Sequence, residues 1–136
     1  RDLRDLAAAL AAGGADMATL ATPFENPGER ANPNAVKALR GGDGFAVGFC
    51  RADPSPAERS ALGDPEVLHH VGIYAFRRDR LLAFPSLAPT DGEQRERLEQ
   101  LRALDHGWRI RVLDARVPSY GIDTRDDYDR FLARLR

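Results

Sequence analysis

Residues 69–115 alternate two periodicities within one short stretch, and that alternation restricts the fold more than any other feature. HHVGIYAF reads as a strand, RRDRLLAF as a short helix, PTDGEQRERLEQLRALDHG as the chain's best helix, and WRIRVLDA as a second strand. Period-two and period-3.6 segments in succession bury their apolar sides by laying helices against a sheet, which is an α/β architecture. In the long helix, 91–106, Thr90 and Glu93 have the spacing of a capping box, Leu98, Leu101 and Leu104 form an apolar seam, and Gly107 ends it.

The flanks extend the pattern. RDLRDLAAALAAGG is helical from its first residues, with Leu3, Leu6 and Leu10 at helical spacing and Gly13–Gly14 as its stop. ADMATLATPF is a short buried strand, ENPGERANPN a turn-rich loop, and AVKAL a second strand. RGGDG turns into the strand FAVGFCRA, and DPSPAERSALGDPE reads as a loop or flap. A chain that opens on Arg1 inside a helix, with its one methionine in a strand, is expected to be a piece of a longer protein.

Composition removes several classes. With 20 basic and 21 acidic residues and no basic stripe, the chain lacks the surface that binds nucleic acid or anionic membranes. The single cysteine, Cys50, rules out an intrachain disulfide and a cysteine-rich metal site, and suits a reducing, cytoplasmic setting. No apolar run reaches membrane-spanning length. No phosphate-cradling GxxxxGK[ST] and no GxGxxG is present.

Three places could carry chemistry. In HHVGIYAF the strand period puts His70, Gly72, Tyr74 and Phe76 on one face and Val71, Ile73 and Ala75 on the other. The aliphatic face is the expected core side. His70 and Tyr74 are then either two polar handles over a glycine where a ligand approaches, or an ordinary solvated or packed pair. On helix 91–106, Glu96, Glu99, Gln100 and Ala103 share a face; it is either a hydroxyl-binding face or a solvated one braced by Glu93–Arg97 and Arg95–Glu99 pairs. Arg51 ends an apolar strand, where its fork could read a carboxylate or simply lie on the surface. Lys37, the only lysine, is equally a plain surface cation. Near the end, Thr124 and Asp127 form a capping box, which leaves Asp123 just outside the helix with no cap to make.

NPNAVK (32–37), HHVGIYAFR (69–77), RLEQLRALDHGWRIRV (97–112) and GIDTRDDYDR (121–130), in this order and spacing, resemble the C-terminal half of the 3-deoxy-manno-octulosonate cytidylyltransferases. The resemblance implies the C-terminal part of a Rossmann-like nucleotide-sugar transferase fold, a mixed sheet flanked by helices. Residues 1–136 would be one half-domain, with a β-rich excursion over 34–76 serving sugar binding or dimerisation, and the nucleotide-binding N-terminal half lying outside the chain. It implies transfer of CMP from CTP to Kdo, an eight-carbon acidic sugar, with release of pyrophosphate, for lipopolysaccharide synthesis. It further implies Mg2+ as cofactor, a homodimer at full length, and no activity from this chain alone. Carried over by residue, Asp123 is the magnesium ligand and catalytic carboxylate, Arg51 binds the sugar carboxylate, and His70, Tyr74, Glu99 and Gln100 contact the sugar. The alternatives are a non-catalytic interaction module and a transferase for another acidic sugar. Where the family usually has Tyr-Phe-Ser-Arg, this chain has Gly48-Phe49-Cys50-Arg51.

Overall fold

The computed structural model describes residues 1–116, 122 and 124–135, the last stretch without the side chain of Arg134. Helix α1 (Asp2–Ala11) leads through Gly13 and Gly14, both at positive φ, into strand β1 (Met17–Thr22). Glycine meets that left-handed requirement without a Cβ clash, so the predicted stop holds. A short helix α2 (Pro27–Arg30), capped by the Asn26 side chain, interrupts the expected loop. Strands β2 (Lys37–Arg40) and β3 (Ala46–Cys50) form the expected hairpin around a turn containing Gly44 at φ 83°.

The expected 53–66 loop contains a helix, α3 (Pro56–Ala61), opened by a reciprocal Ser55–Glu58 capping box with proline in its first turn. None of its residues is buried, so no apolar stripe announces it. Next come β4 (Glu66–Phe76), α4 (Arg78–Ala83) and a 3-10 turn at Phe84–Ser86.

The long helix is broken. It forms α5 (Asp91–Glu96) and α6 (Gln100–Asp105), separated at Arg97, which has left-handed backbone at φ 55° and ψ 49°. The Thr90–Glu93 capping box is formed, but Glu93 pairs with Arg102 at 2.6 Å instead of with Arg97. Strand β5 (Ile110–Asp114) follows, and α7 (Arg125–Arg134) starts at Thr124 with the predicted Asp127 partner.

The five strands form one mixed sheet in the order β3-β2-β4-β1-β5, antiparallel except for the parallel β1–β5 pair. Strand β1 is buried along its whole length, as a central strand covered on both faces must be. One face packs Met17, Ala21, Leu68, Ile110 and Val112 against Leu98, Leu101 and Trp108. The other packs Ala18, Leu20 and Val71 against Leu6 of α1. The β2–β3 turn reaches the far edge strand, where the Val112 amide donates to the Gly44 carbonyl at 3.0 Å, so the sheet curls. No described helix is long and apolar enough to cross a membrane.

Candidate functional site

Strand β4 does not run straight past β1. Its register shifts by two residues between the Thr19–Tyr74 and Leu20–Val71 pairs, which leaves Gly72 and Ile73 in a bulge. Two extra residues preserve parity, so His70, Tyr74 and Phe76 still share a face as predicted. The aliphatic face is a core side, as expected, since Val71 and Ala75 pack in the cluster with Leu6 of α1, although Ile73 in the bulge is 40% exposed. The other face is a core side as well: Tyr74 and Phe76 pack against the larger cluster, which includes Leu101 and Ala103 of α6. Gly72 lies in the bulge with open space over it: a Cβ there would meet nothing within 4 Å, so no other backbone approaches it closely.

A row of rings runs along that face. Phe49 meets His70 at 5.2 Å between centroids, His70 meets Tyr74 at 5.4 Å, and the row continues through Phe76 and Phe84 to Trp108. Burial disfavours charge on each polar member. The His70 imidazole is pushed down to about 4, helped by its neighbour His69. The Tyr74 phenol is pushed well up by burial, and further by the nearby Glu99 carboxylate. Both are neutral at pH 7, able to donate and accept hydrogen bonds to an uncharged polyol.

Arg51 and the helix junction close the same region. The Arg51 amide donates to Glu96 Oε2 at 3.0 Å and its Nε to the Glu96 carbonyl at 2.7 Å. Its terminal nitrogens donate to the carbonyls of Pro33 at 3.2 Å and Arg97 at 3.4 Å. Arg51 is therefore not an idle surface group: it ties the end of β3 to the left-handed break between α5 and α6. A guanidinium has five N–H donors, so three bonds leave one on each terminal nitrogen, the number a carboxylate takes in a two-pronged contact.

The break places Glu99, exposed, immediately before α6 and Gln100 in its first turn. Gln100 is only 7% exposed, and its amide makes no hydrogen bond to the described residues. The amide atoms themselves keep contact with solvent, so they are satisfied without a protein partner. Of the predicted site residues, His70 and Tyr74 meet directly, Glu99 lies near Tyr74, and Arg51 is tied to the helix break that precedes Glu99 and Gln100; no direct contact of Gln100 with the other four is seen. Asp123 lies outside the described residues. Its neighbour Thr124 accepts from the Asp127 amide at 3.2 Å, so the helix start is served without it.

Lys37 also departs from expectation. It is fully buried on β2 and its ammonium donates to the carbonyls of Asn32, at 2.8 Å, and of Arg51. Burial holds its pKa below the ordinary lysine value, with Cys50 and Asp53 opposing. The one available clue was its setting, a lone lysine between the apolar residues of AVKAL. Thr19 was missed because its hydroxyl is hidden in an apolar strand.

The buried His70 makes a measurable prediction. Its folded value of about 4 lies below the unfolded value of about 6.5, so the unfolded chain binds more protons between them. Its contribution is present above pH 6.5 and is lost as pH falls through about 4. Urea titrations at pH 7, 6, 5 and 4 should show stability falling by up to about 1.4 kcal/mol per pH unit from this group. His70→Gln should flatten that slope; an unchanged slope would contradict the assignment.

A Rossmann-like α/β fold, a mixed sheet flanked by helices, is the class that this architecture defines. A family model described as cytidylyltransferase matches residues 1–110, and the chain belongs to that family. It is 44% identical to the 3-deoxy-manno-octulosonate cytidylyltransferase of Yersinia enterocolitica, over 96% of this chain and 55% of the relative. It is 48% identical to the protein of that name from Anaeromyxobacter dehalogenans, over 91% of this chain and 50% of the relative. Among solved structures it is similar to CMP:2-keto-3-deoxy-manno-octonic acid synthetase complexed with CTP. There the TM-score is 0.82 at 33% identity, covering 99% of this chain and 55% of the other. The chain spans about half the length of these relatives.

Proposed function

We propose that this chain supplies the acidic-sugar side of an enzyme that transfers CMP from CTP to the anomeric hydroxyl of Kdo, releasing pyrophosphate. The observation that carries this reading is the junction itself. Arg51 retains two N–H donors for a carboxylate at the helix junction that also carries Glu99 and Gln100, on the side of the sheet that holds the neutral pair His70 and Tyr74. Arg51 holds the sugar's carboxylate and so sets its orientation. His70, Tyr74, Glu99 and Gln100 take its hydroxyls, which restricts the attacking oxygen to one approach toward the α-phosphate.

Magnesium fits this donor set in one way. No group of three His, Cys, Asp or Glu among the described residues could hold a metal ion. Magnesium commonly takes one or two carboxylates, with waters and substrate oxygens completing six positions, so Asp123 would be its protein ligand from this chain. When bound, the ion supplies charge neutralisation at the phosphate and orients the sugar hydroxyl. We place the protein in the cytoplasm as a homodimer, with the 34–76 excursion at the contact; sedimentation of the full-length protein checks the latter.

Thermal melting tests the reading directly. Kdo should raise the melting temperature of this chain, while a neutral hexose should not. A response to sialic acid alone would reassign the sugar, and no response to any acidic sugar would favour a non-catalytic module. Pyrophosphate release from CTP and Kdo, with the remaining length of the relatives supplied, tests the transfer itself. Arg51→Lys should weaken Kdo binding by tenfold or more in calorimetry, because a point-charge ammonium cannot make the two-pronged contact. Retained affinity would remove Arg51 from the site.

A further inference from the structure

The bulge in β4 brings a hydroxyl to the ring of His70. Thr19, fully buried on β1, has its Oγ1 2.9 Å from His70 Nε2, 2.8 Å from the Ile73 carbonyl oxygen and 3.3 Å from that of Val71. One carbonyl belongs to the bulge and the other to the residue just before it, so they reach one hydroxyl where Gly72 and Ile73 are looped out.

A threonine hydroxyl has one proton to give, and a carbonyl oxygen can only accept. The proton goes to Ile73, the shortest of the three contacts. If Nε2 carried a lone pair, three acceptors would face a single proton and the ring nitrogen would be left unpaired. If Nε2 carries the proton, it donates to Oγ1, and only the two carbonyls share the hydroxyl's proton, the nearer Ile73 oxygen taking most of it. The neutral ring has one N–H, so Nδ1 then carries the lone pair, and no described residue donates to it.

We propose that Thr19 is a positioning residue: it fixes His70 as the Nε2–H tautomer and so presents Nδ1 as an acceptor for a ligand hydroxyl. The tautomer lock stands on the hydrogen-bond geometry alone; only the identity of the hydroxyl donor rests on the acidic-sugar reading. The depressed basicity of His70 agrees, since a ring neutral at pH 7 keeps its acceptor. A threonine serves better than a valine of the same shape because only its hydroxyl can receive from Nε2 while giving to a carbonyl.

Two-bond proton–nitrogen correlation spectra of this chain, labelled with 15N-histidine, test the lock, with His70→Gln identifying the signals. In the unaltered chain the expected pattern is protonated Nε2 and bare Nδ1; the opposite tautomer would overturn the proposal without any variant of Thr19. Thr19→Val should lose the single-tautomer pattern and Thr19→Ser should restore it. A folded Thr19→Val chain that keeps the pattern would also overturn it. On adding Kdo, the Nδ1 signal should move while the tautomer stays. A rise in melting temperature without that movement overturns the acceptor role. Neither change counts against the sugar reading and leaves the lock to be judged by the two tautomer results.

Discussion

Lys37→Met will lower the unfolding free energy by about 2 kcal/mol and the melting temperature by roughly 8 °C. Methionine keeps the apolar stem and relieves the cost of burying a charge, which by itself would favour the variant. Against this, the carbonyls of Asn32 and Arg51 both lose the donor that joins the 32–35 turn to the end of β3. An acceptor left without its partner costs about 1–3 kcal/mol, so two of them outweigh the relief. Lys37→Arg should not recover the loss, because the side chain is fully enclosed and a larger head has no room. Urea denaturation measures all three proteins; a loss below about half a kcal/mol would mean that water replaces the ammonium. Because the Arg51 carbonyl is one of the two, the same variant should also weaken acidic-sugar binding.

In the active enzyme, Asp123→Asn will reduce turnover by a hundredfold or more, corresponding to about 2.7 kcal/mol or more of transition-state stabilisation. The amide keeps the shape but loses the charge that a hard divalent cation requires. Stability should barely change, since Thr124 and Asp127 satisfy each other at the start of α7: the Thr124 amide donates to Asp127 Oδ2 at 3.0 Å. Thr124→Ala supplies the contrast, costing about 1 kcal/mol through the lost cap. Steady-state rates across a magnesium titration, with melting curves for both variants, separate the two roles. Turnover and magnesium dependence unchanged in Asp123→Asn would remove Asp123 from the reaction.

Family membership was legible because it rests on ordered short motifs, and those survive in the sequence whatever the packing does. Whether the candidate residues formed a site was less legible. The pattern of HHVGIYAF placed His70 and Tyr74 on one face, but pattern cannot say that helices will cover both faces. Gln100 looked like one more polar residue on a solvated helix until the break at Arg97 carried it into the interior. A left-handed residue that is not glycine leaves no mark in composition, and the leucine seam running across it suggested continuity.

Local signals were written in the residues themselves. The Thr90 and Thr124 capping boxes, the Gly13–Gly14 stop, the β2–β3 turn and the parity of β4 each follow from neighbours a few positions apart, where side chain and backbone decide together. Only the tertiary structure decided the rest. The two-residue bulge arises from pairing β4 with a strand some fifty residues away, and it alone brings Thr19 to His70. Lys37 is interior because the Asn32 and Arg51 carbonyls converge on it, and Arg51 is a clamp because three carbonyls from two distant segments meet its fork. Those partners are remote in sequence, and the energy of a buried polar group depends on the partner it finds.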